Sequence, residues 1–393
     1  MKLLTNVTPL LTPLTGIGHY TRQLLLQIMA DESLKECKGI SMMGAYEHAE
    51  LEKLLLPTMA ASKGSTSNTT SKTKLINIAR QVPYARSIKR ILEQYRALQT
   101  AKKCHDFLYW EPNYTLLPLE NPSVLTVYDL SHLHFPQYHP AERVSLLANK
   151  LESSLNQAQK IVTISEYTRN DIVQQFGISA DKIDIVSPAV CDSFREVYTS
   201  DQLANVRRTY SLPESYILSV ATLEPRKNIE GLIKAFSDLP APLRKRFPLV
   251  LVGARGWLNE ELEKVLTPLL KKGEAFRLGY VSQADLPLIY AQATCMVYVS
   301  FFEGYGMPVA EAMASGVPVL TSKTSSMPEV SQSSALLADP YDRESITSSL
   351  LELLEDQDLR SRLSNQGRII AAEYTWKSSG ERLMNTLKQA STA

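Results

Sequence analysis

Two carboxylates, Glu303 and Glu311, bracket the glycine-containing stretch Gly304-Tyr305-Gly306-Met307-Pro308-Val309-Ala310. An apolar run at 295–300 reads as the strand leading into it, and a helix is predicted from about Pro308 until Gly316 ends it. Proline suits a first helical turn, where its missing N–H would have had no partner. Glu303 therefore falls in the loop and Glu311 early in the helix, so both can face one cleft at the strand ends. Gly304 and Gly306 let the backbone approach a ligand, and a helix N-terminus favours a phosphate. A carboxylate accepts hydrogen bonds from sugar hydroxyls. Two carboxylates flanking a phosphate site suit a ligand with a sugar at each end of a diphosphate.

Arg226 and Lys227 follow an apolar run at 216–221. They offer a planar fork and a point charge at a strand end, where a diphosphate would sit. Gly16-Ile17-Gly18-His19-Tyr20 follows the first apolar run and opens a helix. Gly16 and Gly18 let that loop come close to a ligand, and the helix aims its positive end at a diphosphate.

The elements that must position these groups alternate along the chain. Short apolar runs and amphipathic stretches follow one another almost throughout, the pattern of α/β units with parallel sheets. Strands are predicted at 2–7, 39–43, 106–110, 124–128, 161–164 and 183–186, then at 216–221, 249–253, 275–279, 295–300, 317–321 and 334–338. Helices are predicted at 18–30, 141–158, 168–176 and 376–389. A length of 393 residues exceeds the roughly 250–300 at which single cores stop growing, which favours two domains. The division expected is 1–192 and 214–375, with a polar, strand-free linker at 193–213 and a helical stretch, 376–393, that returns to the first domain. Two doubly wound domains in tandem place a ligand cleft between them, at the carboxyl ends of their strands.

A net charge of +1 singles out no partner. Cys37, Cys104, Cys191 and Cys295 lie far apart without CxxC spacing, which reads as reduced thiols in a cytoplasmic protein. The six histidines include no HExxH, and no bound metal is expected. The first residues are too polar for a signal peptide, and no run approaches the ~20 apolar residues of a membrane span. One segment is unbalanced: residues 61–103 carry ten Lys/Arg against the single acid Glu93. Its first part, 61–74, reads as a Ser/Thr/Asn/Lys-rich loop. Its second, 75–103, reads as a basic amphipathic stretch that docks on an anionic membrane surface or packs its apolar stripe on the first domain. It lacks aromatic interleaving, and nucleic acid is not expected as a partner.

The whole string 303–319, ending Glu311-Ala312-Met313-Ala314-Ser315-Gly316-Val317-Pro318-Val319, resembles the E-x7-E signature of glycosyltransferase family 4. The resemblance extends over nearly all the chain. Leu223-Glu224-Pro225-Arg226-Lys227-Asn228 resembles the family's RKN loop, and residues 16–20 its glycine loop. Thr126-Val127-Tyr128-Asp129-Leu130-Ser131 resembles the stretch where many relatives carry His-Asp beside the donor sugar. Here Tyr128 replaces that histidine. With an unperturbed pKa of about 10, tyrosine keeps its proton at neutral pH and cannot shuttle one in place of the histidine, though it can still stack and hydrogen-bond. His132 and His134, close by, could substitute for it, but both read rather as surface loop histidines. Ser165-Glu166-Tyr167-Thr168 is similar to the family's SE-x-T strand end, where Ser165 or Thr168 is expected to cap a helix. Arg277-Leu278-Gly279-Tyr280-Val281 resembles the segment whose backbone meets the base. Glu329, in another family string, reads as structural, and 187–192 departs from the usual Gly-Val-Asp.

The resemblance implies a GT-B fold, two Rossmann-like domains facing a central cleft, with an acceptor side in the first and a nucleotide-sugar site in the second. It implies retaining transfer with neither metal nor bound cofactor. Arg226 and Lys227 would stabilise the leaving diphosphate, Glu303 would hold the donor sugar and Glu311 the ribose. Gly16, Gly18, Tyr128, Asp129, Val281, Gly304, Tyr305, Gly306 and Met307 would line the donor. The pattern over residues 16–20, 127–136 and 223–228 looks most like bacterial mannosyltransferases that build O-antigen chains on lipid carriers. That implies GDP-mannose as donor, with GDP-rhamnose or UDP-glucose as alternatives, a lipid-linked oligosaccharide as acceptor, and a place at the inner face of the cytoplasmic membrane. An epimerase or a non-enzymatic sugar-nucleotide-binding scaffold of the same fold would share these motifs.

Overall fold

The apolar runs separate into two sheets. A computed structural model describes residues 1–11, 15–41, 44–56, 95, 98–100, 102–254 and 260–392. The first sheet contains β1 (Lys2–Asn6), β2 (Glu36–Ser41), β3 (Gly44–Tyr46), β4 (Leu108–Glu111), β5 (Ser123–Val127), β6 (Lys160–Thr163) and β7 (Ile183–Ile185). Their order is β3-β2-β1-β4-β5-β6-β7, parallel except for the antiparallel β2–β3 pair. The second contains β8 (Ile217–Val220), β9 (Leu249–Val252), β10 (Ala275–Gly279), β11 (Cys295–Tyr298), β12 (Val319–Ser322) and β13 (Ala335–Ala338), in the order β10-β9-β8-β11-β12-β13 and parallel throughout. Central strands such as β4, β5, β9 and β11 are buried along their whole length, which is why they read as continuous runs rather than alternating ones.

Strand order decides where a ligand can lie. In the second sheet the chain starts in the middle, winds out through β9 and β10, then returns to the other side of β8 with β11. Such a reversal, between the carboxyl ends of β8 and β11, is where an open α/β sheet places its ligand crevice. The loop after β8 carries Arg226 and Lys227, and the loop after β11 carries Glu303.

Three stretches differ from the sequence expectation. Of the run predicted as one strand at 39–43, residues 39–41 end β2 and 42–43 lie outside the described residues; β3, which pairs with β2, is an edge strand too short to show a period. β12 begins at Val319 because Gly316 turns left-handed (φ 69°) and the Val317 N–H bonds back to the Ala312 carbonyl, closing the preceding helix. The stretch 193–213 holds a helix, Ser200–Tyr210, begun by a Thr199–Gln202 capping box and packed on the helix Leu286–Tyr290. The loop 61–74 and nearly all of the basic stretch 75–103 lie outside the described residues. No helix among the described residues is long and apolar enough to cross a membrane.

The chain passes between the sheets twice, at one place. Outbound, the Val190 N–H donates to the Tyr374 carbonyl at 3.3 Å. Arg195 donates to the Ala371 and Tyr374 carbonyls at 2.9 and 2.8 Å. Returning, Ser379 donates to the Ser187 carbonyl at 2.7 Å. The helix Trp376–Thr392 then packs along Gly16–Met29 and against β4, β5 and β6.

Two contacts clasp the domains nearer the crevice. Phe302, buried, sits among His134, Phe135 and Tyr167 of the first domain, with ring centroids 5.1, 5.7 and 5.7 Å away. Glu329 accepts from the backbone N–H groups of Glu166 (2.8 Å) and Tyr167 (3.0 Å), two donors that the first turn of Glu166–Phe176 leaves unpaired. Ser165 caps the same helix by accepting from the Thr168 N–H. Glu329→Ala should cost about 1–2 kcal/mol, the range of a lost helix cap. Hydrogen exchange checks it, and the Glu166 and Tyr167 amides should be the ones that speed up.

Candidate active site

Asn228 shapes the loop after β8. It adopts left-handed backbone (φ 53°), which asparagine tolerates better than most residues. Its side-chain amide donates to the carbonyls of Val299 (3.0 Å) and Pro340 (2.8 Å), tying the loop to the end of β11. The two preceding side chains are thereby turned toward the β11 loop. The Lys227 ammonium donates to Glu303 Oε1 at 2.6 Å and to the Tyr298 hydroxyl at 3.0 Å. The Arg226 guanidinium lies 3.1 Å from Glu303 Oε2 and donates to the Phe302 carbonyl (2.6 Å) and to Glu224 (2.9 Å).

Glu303 is buried at the centre of this group. Its Oε1 accepts from Lys227, Tyr298 (2.9 Å) and Ser300 (2.7 Å), and Oε2 faces Arg226. Burial pushes the carboxyl up, but Arg226 and then Lys227 outweigh it and hold the pKa down at about 2. Burial draws Lys227 below its usual value despite Glu303. Burial acts the same way on Arg226, where Glu303, Asp129 and Glu224 prevail and raise it. The result is two cations and one carboxylate locked together in a nearly dry place. Oε2, which among the described residues has only Arg226 as partner, retains room to accept from a ligand hydroxyl.

The first domain meets this cluster through 128–129. A Cβ on Gly304 would lie 2.2 Å from the Tyr128 carbonyl oxygen, so only glycine permits the domains to approach this closely. Asp129 is held by Ser131 (backbone 3.0 Å, hydroxyl 2.7 Å) and by Tyr114 (3.2 Å). Burial opposes its ionisation, but the charge of Arg226 and the bonds from Ser131 keep its pKa below normal. The charge of Arg226 thus acts on both Glu303 and Asp129.

The other sequence candidates fall in several places. Glu311 stands one turn into the helix Met307–Ala314 and accepts from the Tyr290 hydroxyl at 3.0 Å. Burial pushes its pKa up to about 7, against the Tyr290 bond. Gly306 precedes that helix with φ 108°, and Met307 begins it. Tyr305 is buried with its ring near Tyr374. Val281, just past β10, is a buried core residue. Gly16 begins the helix Gly16–Met29, a Cβ there would meet no described residue within 4 Å, and Gly18 is buried in its first turn.

Tyr128 does not present its side chain to the crevice. It is buried, its hydroxyl donates to the Pro112 carbonyl at 2.7 Å, and its ring packs on Tyr20 and Tyr114. It reaches the crevice with its backbone. His132 is likewise buried, on the short helix Ser131–His134, rather than a surface histidine. Among the described residues neither of its ring nitrogens has a hydrogen-bond partner, and burial pushes its pKa down to about 4. His134 is exposed and pairs with Asp171 at 2.8 Å.

Glu224, Tyr290, Tyr298 and Ser300 were not singled out in the sequence. Tyr298 and Ser300 carry a readable signal, hydroxyls two residues apart at the end of an otherwise apolar strand, which places both on one face.

A doubly wound domain pair with a cationic pair and a carboxylate at the crevice is the architecture of GT-B glycosyltransferases. The fold is GT-B: the chain superposes on HepE of Anabaena in complex with UDP-glucose (TM-score 0.71, 15% identity, covering 99% of this chain and 100% of that one). It also superposes on WaaG, a glycosyltransferase involved in lipopolysaccharide biosynthesis (TM-score 0.71, 14% identity, 98% and 99%). Residues 73–194 match the family described as Glycosyltransferase Family 4, and residues 207–369 match Glycosyl transferases group 1. O-antigen chain mannosyltransferase B of Escherichia coli is 32% identical over 392 residues, 99% of this chain and 100% of that protein. The chain belongs to glycosyltransferase family 4.

Removing Glu303 would leave Lys227 and Arg226 buried without their shared counter-charge. Glu303→Ala should lower unfolding free energy by about 3 kcal/mol, the scale for breaking a buried pair. Because the folded pKa is depressed, the stability Glu303 contributes is present above its ordinary 4.5 and is lost as pH falls toward about 2. Urea denaturation as a function of pH should show that part of the acid dependence missing in Glu303→Gln.

Proposed function

We propose that this glycosyltransferase moves mannose, with retention, from GDP-mannose to a lipid-linked oligosaccharide during O-antigen synthesis. The observation that carries the reading is the meeting of Arg226, Lys227 and Glu303 at the reversal point of the second sheet, facing Asp129 of the first domain. The similarity to O-antigen chain mannosyltransferase B, which spans essentially the whole chain, supports the sugar and the pathway.

In this reading the diphosphate of the donor lies against Arg226, Lys227 and the start of Met307–Ala314. These groups stabilise charge that builds as the bond between the anomeric carbon and the phosphate oxygen breaks. The acceptor hydroxyl forms its bond to the anomeric carbon on the face the phosphate leaves, and the departing phosphate takes the hydroxyl proton. No side-chain base is needed, and no resident metal. Glu303 Oε2 takes a donor sugar hydroxyl while Oε1 fixes Lys227. Glu311, on the far side of the glycine loop, takes the ribose hydroxyls. Because the side chain of Tyr128 is directed into the core, the donor meets its backbone. The basic stretch 75–103 would hold the enzyme on the anionic cytoplasmic face of the membrane, where a lipid-linked acceptor resides; its local charge supports this.

A panel of nucleotide sugars with a lipid-linked oligosaccharide, followed by linkage analysis, tests the assignment. An α-mannosyl product from GDP-mannose is expected. Turnover with UDP-glucose and none with any GDP-sugar would remove the donor, and a donor changed without any acceptor would point to an epimerase.

Glu311 gives a pH signature. Donor affinity should weaken as pH falls through about 7, where the carboxylate takes up its proton. Tyr290→Phe removes the bond that favours the carboxylate, so the same loss should begin at higher pH. Calorimetric titration of GDP-mannose across pH reads both curves, and an unshifted curve in the variant would detach Glu311 from donor binding.

A further inference from the structure

Behind the loop that carries Arg226 lies a cavity of about 360 Å³ that the donor reading leaves unused. Its size falls within the ~300–1,000 Å³ range of small-molecule sites. Phe301 and Tyr341 line it as a stacked pair, with centroids 4.9 Å apart and planes 24° apart. Tyr341 is 66% exposed, so its ring is open to a ligand. Tyr138, from the first domain, also lines the cavity and is itself stacked on Phe135. The site is therefore built from both domains.

Its charges are balanced. Lys234 pairs with Glu230 at 2.5 Å, Arg343 pairs with Asp238, and Glu224 is engaged by Arg226. Each pair sets donors beside acceptors without a net sign, which suits a neutral ligand rich in hydroxyls better than a phosphate or a cation. Flat aromatic faces, whose quadrupole attracts C–H edges, suit the apolar faces of sugar rings. His139, next to Tyr138, has a buried Nε2 that finds no hydrogen-bond partner among the described residues, and it senses the charges of Arg143, Asp129, Arg226 and Glu224.

The cavity also stands in the right place. The Phe301 N–H donates to the Arg226 carbonyl at 3.0 Å, and Glu303 follows two residues later. The inner wall of the cavity is thus the same piece of chain that presents the cation–carboxylate cluster. A sugar held in the cavity would lie across that stretch of chain from the Arg226–Lys227–Glu303 cluster.

We propose that the Tyr138–Phe301–Tyr341 cavity is a subsite for the neutral saccharide of the acceptor. This rests on the transferase reading above and adds the place where the acceptor glycan is held. The ligand class is a manno-oligosaccharide rather than the diphosphate or lipid part of the acceptor.

Saturation-transfer NMR with α-linked manno-oligosaccharides reads this site independently of turnover. The wild-type chain should transfer saturation to sugar-ring protons, and Tyr341→Ala should lose most of it while Tyr341→Trp retains it. GDP-mannose affinity in Tyr341→Ala should stay within about twofold of wild type, and acceptor KM should rise about tenfold or more, the scale of losing an aromatic anchor. Circular dichroism and melting temperature show whether the variant folds; Tyr138→Ala, on the other domain, gives a second variant with the same expectation. A wild-type protein that transfers mannose but shows no saccharide signal, or a Tyr341→Ala variant with unchanged signal and KM, overturns the subsite. A protein that binds the saccharide at Tyr341 but transfers no sugar overturns the transferase reading and leaves the subsite standing.

Discussion

Cations held in a dry place need a fixed counter-charge, because an unpaired buried charge costs several kcal/mol. In this chain Glu303 supplies it for Lys227 and Arg226 at once, and its carboxyl is itself held by Tyr298 and Ser300. Much of the surrounding architecture follows from that requirement. β8 and β11 must be neighbours for their loops to meet, and the 3-2-1-4-5-6 winding of the second sheet makes them so. Asn228 must turn left-handed to aim the cations. Gly304 must lack a side chain so that the first domain can close over the cluster.

The domain contacts serve the same end. Phe302 immediately precedes Glu303 and is gripped by first-domain rings, while the Glu303 N–H donates to Ser325 Oγ and Glu329 holds the N-terminus of Glu166–Phe176. The loop that places the carboxylate is therefore anchored in both domains. The ring contacts between the domains lie within a residue or two of Glu303 and help fix the loop that presents it.

Much of the fold was legible because parallel strands buried on both faces leave continuous apolar runs, and helices between them leave amphipathic ones. What escaped was local or long-range. β3 is three residues long and shows no period, and Val317 joins a helix cap rather than a strand. At the site, Arg226, Lys227 and Glu303 could be read from residue type and position at strand ends. Their supporting partners could not all be read. Glu224 looks like any loop acid, and Tyr290 meets Glu311 only through the packing of two helices. Tyr128 sits where the pattern suggests a crevice residue, yet its neighbours Tyr20 and Tyr114 draw the ring into the core. The aromatic cavity joins residues about two hundred positions apart, so no window along the chain contains it.

The return of the chain also bears on how the protein is made. Residues 376–392 are synthesised after the whole second domain, yet they cover one side of the first sheet and pack along Gly16–Met29. During translation the first domain must wait with that apolar surface unprotected while nearly two hundred further residues emerge. Its assembly is finished late, from the far end of the sequence, so the second domain folds beside a partner that is still incomplete.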